Sequence, residues 1–182
     1  MASSNKAILQ QSLSCEGLEY LLRRQKTPHF YGVYDSNAKV PDHVLKKKDF
    51  CVILKIAPEK EDSRPNFISF FAKDLRCWYV DVSGKVGIPA EVKDIFDRTE
   101  HEVVETCLLV NPNPATCPSA WLSCYYVLQY EKRYFASPPT RGSVGKPFLI
   151  DVMTIVDSIT HGFDVVKALN YVTNNTFFDA FQ

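Results

Sequence analysis

Six cysteines and four histidines carry the widest chemistry in this sequence, because a thiolate can attack carbonyls or bind metal and an imidazole can move protons near neutral pH. The cysteines are Cys15, Cys51, Cys77, Cys107, Cys117 and Cys124, and the histidines are His29, His43, His101 and His161. No two cysteines stand as C-x-x-C, so their spacing gives little support to a structural zinc site. Cys51, Cys77, Cys107 and Cys124 lie inside apolar segments, where a free thiol behaves as a small core residue. Residues Met1 to Lys6 carry no apolar signal region, so a secreted protein stapled by disulfides is not expected. His29 follows Pro28, His43 sits in a turn, His101 falls on a charged helical stretch and His161 in the tail. On such segments an imidazole is expected to be solvated or to cap a helix.

The remaining chemical signals are thin. Lysine plus arginine equals aspartate plus glutamate, 21 of each, so no global field draws the chain to nucleic acid or anionic lipid. The basic run Lys46-Lys47-Lys48, closed by Asp49, reads as a solvated turn, with a phosphate-binding patch as the competing reading. No Gly-rich phosphate loop is present, and no cofactor or metal is expected. Asn174-Asn175-Thr176 matches a glycosylation acceptor but reads as a helix-ending turn. Trp78, Tyr79, Tyr125 and Tyr126 could stack bases, yet on apolar strands and helices they read as core.

The elements that must position these residues are legible from periodicity. With 182 residues, one core is expected, and 12 Phe and 9 Tyr supply the apolar area to build it. Residues 6 to 25 read as an amphipathic helix or a broken pair of helices interrupted at Gly17, ended by Lys26-Thr27-Pro28. His29 to Asn37 is an aromatic segment closing in turn residues, and Pro41-Asp42-His43 is a turn or helix start. Phe50 to Ile56 is a near-continuous apolar run, predicting a central strand buried on both faces. Asn66 to Ala72 and Cys77 to Val82, joined by the tight turn Lys73 to Arg76, predict an antiparallel hairpin. Ala90 to Val104 reads as a surface helix and Cys107 to Val110 as a short strand stopped by Asn111-Pro112-Asn113-Pro114. Cys117-Pro118 can open a mostly apolar, hence central, helix. The expected division is an α+β core over 1–135, a Pro/Gly linker over 136–147 and a helical C-terminal extension over 148–182. No apolar run approaches the ~20 residues of a membrane span, so a soluble protein is expected.

The order of these segments resembles the adenovirus endopeptidase group (adenain) of cysteine proteases, related in fold to the SUMO-specific proteases. Phe30-Tyr31-Gly32-Val33-Tyr34-Asp35 looks like that family's Gly-x-Tyr-Asp segment before its first strand. Cys77 to Gly84 looks like the strand bearing the acidic member of the triad, and Glu91 to Phe96 like the helix after it. Leu169 to Val172 and Phe178 to Phe181 resemble the family's last helix and aromatic tail. The resemblance implies a central mixed or antiparallel sheet flanked by helices, with an apolar central helix.

It also implies where the catalytic residues would stand. The histidine position is Asn66, and a carboxamide cannot accept a thiol proton near neutral pH, so the general base is missing. The acid position is Asp81. The nucleophile position is Ala120, followed by Trp121 where the family has Gly, and Asn113 falls near the glutamine of the oxyanion hole. A three-residue slip would instead place Cys117 at the helix start. The expectation is therefore an inactive, pseudo-protease form of a viral or virus-derived fold. It would be intracellular, in the host nucleus or cytoplasm or in the virion, with a capsid or core protein as partner. The competing readings are an active cysteine endopeptidase using Cys117 and a nucleic-acid-binding accessory protein using Lys46 to Lys48.

Overall fold

The computed structural model describes residues 14–24, 26–58, 65–81, 87–104, 107, 108, 119, 120, 122–124 and 127. The expected linker at 136–147 and extension at 148–182 lie outside these residues, as do Asn113, Cys117 and His161. Helix α1 spans Cys15–Arg24. Ser14 starts it, its Oγ accepting from Gly17 N at 3.1 Å, which satisfies one of the orphan donors of the first turn. Gly17 therefore lies inside the helix rather than interrupting it. The C-terminus is a Schellman motif: Thr27 N bonds Leu22 O at 3.3 Å and Lys26 N bonds Arg23 O at 2.9 Å, with Lys26 left-handed at φ 51. Leu18 and Leu22, one turn apart, are fully buried.

Strand β1 is Phe30–Asp35, the segment read from the sequence as an aromatic stretch ahead of the first strand. It pairs in parallel with β2, Phe50–Ile56. The register shifts between Phe30 and Val33, where Gly32 adopts φ 135, a conformation that needs glycine. That bulge breaks the alternation, so Tyr31 and Tyr34, three residues apart, both pack on the same core. Between the two strands lies the one-turn helix α2, Asp42–Leu45, which buries Val44 and Leu45.

Antiparallel to β2 runs β3, Asn66–Lys73, and antiparallel to β3 runs β4, Arg76–Asp81. The hairpin turn is Asp74-Leu75, with φ of 49 and 65, the double left-handed signature of a type I′ turn. Helix α3 covers Ala90–Arg98 and not the longer stretch to Val104 that the sequence suggested. Thr99 turns extended at its end (φ −92, ψ 150), and the β-branched residues beyond it are drawn into the sheet: β5, Glu102–Val103, lies parallel to the start of β4. Further along the same strand, β6, Cys107–Leu108, pairs parallel to its end.

The result is a mixed sheet in the order β1-β2-β3-β4-β5, with short helices, an α+β arrangement. Phe50 to Leu54 are all buried, which fits a strand with neighbours on both sides and cover on both faces. On one face Phe50, Val52 and Leu54 join Ile68, Phe70, Cys77 and Tyr79 under Val44, Leu45, Val92 and Ile95. Phe50 stacks on Phe70 at 6.0 Å, and Phe70 meets Phe96 at 5.7 Å. The other face receives helical residues 119, 120, 122–124 and 127, among which Ala120, Leu122, Cys124 and Val127 are buried. Among the described residues, no helix is long and apolar enough to cross a membrane.

Candidate functional site

Asn66 opens β3 and Asp81 closes β4, so antiparallel pairing brings both to one end of the sheet. Asn66 Nδ2 donates to Asp81 Oδ1 at 2.9 Å. Asp81 is only 1% exposed, and a carboxylate taken that far out of water requires donors. The amide provides one, and Asp81 has interactions beyond this one.

Among the described residues the β3–β4 register begins at Ser69 opposite Val80, and two residues earlier the Phe67 backbone is bonded to a helix. Phe67 N donates to Ser119 Oγ at 2.9 Å, and Ser123 Oγ donates to Phe67 O at 2.9 Å. Ser69 Oγ donates to Ser123 O at 3.1 Å. Serines at i and i+4 thus share one helix face and satisfy both polar groups of a single strand residue. Ala120, one residue past Ser119, is 2% exposed.

The structure brings two of the residues singled out from the sequence, Asn66 and Asp81, into direct contact, while Ala120 is buried on the helix whose Ser119 and Ser123 bond β3. Chemically the pair is a carboxamide hydrogen-bonded to a carboxylate. It can orient and bind, but a carboxamide does not take up a proton near neutral pH. Among the described histidines, none comes near this pair through the sheet. His101 lies at the opposite end, where its carbonyl faces Cys77 Sγ at 4.0 Å, some four residues or ~13 Å along β4 from Asp81. The carbonyl of His29 accepts from Cys51 N at 2.7 Å, also at that far end, and His43 is exposed on α2.

His101 departs from the sequence reading in another respect. It is neither helical nor solvated but 7% exposed, its Nδ1 bonded to Thr99 Oγ1 at 2.6 Å and its Nε2 to Lys48 O at 3.2 Å, with its ring edge-on to Phe50. Cys15, Cys51, Cys77 and Cys124 form no disulfide. Burial pushes the Cys77 and Cys124 thiols up to about 12, and desolvation also raises Cys15 despite nearby Lys55. None of the three has the lowered pKa of an activated nucleophile. In the basic run, Lys48 pairs with Asp74 at 2.8 Å and Lys47 sits 4.9 Å over the Tyr31 ring. Trp78 and Tyr79 are each 1% exposed, in the core as expected. Among the described residues no group of three or more His, Cys, Asp or Glu could hold a metal ion.

Sequence reasoning missed the serines. Ser69 inside Phe67-Ile68-Ser69-Phe70-Phe71 and Ser119 and Ser123 on an apolar helix were visible as polar residues on buried faces, a pattern that calls for a hydrogen-bond partner. No protein-family model matches the chain, and none of the curated proteins searched matches it.

Proposed function

We propose that this chain is a catalytically inactive relative of the adenovirus-type cysteine endopeptidases, a pseudo-protease whose former cleft serves to bind protein. Its partner would be a viral capsid or core protein. The observation that carries this reading is the 2.9 Å bond from Asn66 Nδ2 to Asp81 Oδ1. In a cysteine protease an imidazole stands between acid and thiol; here an amide meets the acid, and by the resemblance the nucleophile position is Ala120. Loss of chemistry with retention of a packed scaffold fits reuse of a fold for recognition.

Two measurements test it. The protein as it stands is assayed against fluorogenic peptides and casein, with no hydrolysis expected. Hydrolysis abolished by Cys117→Ser overturns the proposal in favour of an active endopeptidase. The second measurement compares Ala120→Cys with Asn66→His/Ala120→Cys for alkylation by iodoacetamide at pH 6.5. The pair is expected to react at least about tenfold faster, because an imidazole held by Asp81 favours the thiolate. Equal rates in two folded variants would mean that position 66 does not face position 120.

A further inference from the structure

On the same end of the sheet but over β1 and β2, a cavity of about 210 Å³ lies between the end of β1, the segment 36–40 and the first turns of α3. Tyr34, Val40, Leu54 and Ile95 line it with apolar surface, and Asp35, Glu91 and Asp94 contribute carboxylates. Its volume is below the ~300 Å³ where pockets for drug-sized ligands begin, so it suits a single side chain or a small molecule.

The state of those carboxylates decides what kind. Lys55 Nζ stands 3.3 Å from Asp35 Oδ2, and Lys39 Nζ stands 2.9 Å from Asp94 Oδ1. Two of the three therefore already hold an ammonium of this chain. Arg98 binds Asp94 as well, at 2.6 Å. Glu91, half-buried in the first turn of α3, forms no ion pair or side-chain hydrogen bond among the described residues. An aromatic ring, an aliphatic floor and one unmatched carboxylate together complement a cation on a short apolar stem. The stem takes the place of water against Leu54 and Ile95 while its head meets Glu91.

We propose that this cavity is a binding site for an alkylammonium group, carried either by a lysine side chain of a protein partner or by a small free amine. It is separate from the Asn66–Asp81 pair and does not depend on the function assigned there.

The test is an NMR titration of the full chain at 50 mM salt with three probes: n-butylammonium, Nα-acetyl-lysine N-methylamide and its uncharged norleucine analogue. Saturable shifts of Tyr34, Ala90 and Ile95 are expected with the charged probes, and at least about tenfold weaker binding of the norleucine compound, equivalent to ~1.4 kcal/mol. Glu91→Gln, at a half-buried helix position, is expected to weaken both charged probes by a similar factor, and 500 mM NaCl to weaken them in the unsubstituted protein. Binding of both charged probes identifies a lysine side chain as a ligand; binding of butylammonium alone identifies a free amine. Absence of saturable shifts, equal binding of the norleucine analogue, or affinity unchanged in Glu91→Gln overturns the proposal.

Discussion

Ser123 donates its hydroxyl to the Phe67 carbonyl at 2.9 Å while its own carbonyl accepts from Ser69 Oγ, so one helical residue is bonded to two alternate residues of β3. This double attachment joins the helix to β3. It fixes the helix against the strand at the same place where Asn66 and Asp81 meet.

Ser123→Ala leaves the Phe67 carbonyl without that donor, in a residue only 2% exposed. A buried acceptor stripped of its partner costs about 1–3 kcal/mol. A fall of that size in urea-unfolding free energy is expected, together with faster amide exchange at Phe67, whose N–H bonds the same helix. A change below a few tenths of a kcal/mol would mean that water replaces the hydroxyl freely.

Asn66→Asp places a second carboxylate against Asp81. Two such groups within hydrogen-bond distance cannot both ionise, so the pair retains a proton and its upper pKa rises above the unfolded value near 4. A raised carboxylate pKa means that the penalty is full at high pH and fades as pH falls through the raised value. The variant is therefore expected to be less stable than the parent by about 1–3 kcal/mol at pH 7.5, with the gap narrowing towards pH 4. Parallel stability–pH curves would contradict the observed pairing.

The hairpin tip invites a gain. Leu75 holds φ at 65 and is 61% exposed, so a branched side chain sits in a left-handed conformation without burying itself in return. That conformation costs a non-glycine residue roughly 1–2 kcal/mol, part of which Gly gives back as unfolded-chain entropy. Leu75→Gly creates the favoured Asp-Gly turn and is expected to stabilise by about 0.5–1 kcal/mol in thermal or urea unfolding. Destabilisation would indicate that Leu75 packs on something beyond the described residues.

Acid should loosen the junction of α2 and α3. Arg98 bonds Asp42 Oδ1 at 2.5 Å, Asp94 Oδ2 at 2.6 Å and Val40 O at 2.7 Å. The Arg98 guanidinium holds the Asp42 carboxyl below its usual value, and Lys39, with Arg98, does the same for Asp94. Groups with depressed native pKa contribute in full above their unfolded value and lose that contribution as pH falls through the native one. Arg98→Gln is thus expected to lower the urea midpoint at pH 6, and the difference from the parent to shrink below about pH 4. A difference that persists at pH 2.5 would assign the effect to the Val40 carbonyl alone.

The sheet was readable wherever burial and period agreed. Phe50 to Ile56 could only be a central strand, and the hairpin declared itself through two apolar runs and a four-residue turn. Strand β1 was hidden by its own bulge: Gly32 shifts the alternation by one, so Tyr31 and Tyr34 do not look like residues of one face. The end of α3 was hidden because Val103 and Val104 continue a helical spacing by chance, whereas β-branched side chains and the open edge of β4 favour pairing. At the site, Asn66 and Asp81 were singled out through resemblance to a family. No local pattern announces that residues fifteen apart will bond; only the hairpin register does. The clamp of serines was legible in principle, since hydroxyls facing an apolar layer must find carbonyls or amides.

The bulged strand has one more consequence. The outer rim of β1 has its Val33 N–H engaged by Glu19 Oε2 at 3.3 Å and its Tyr31 carbonyl engaged by the Tyr34 hydroxyl at 3.0 Å. A foreign segment arriving there would have to displace a carboxylate and a phenol before it could lengthen the sheet. By spending two side chains on that border, the molecule denies a template to runaway self-association.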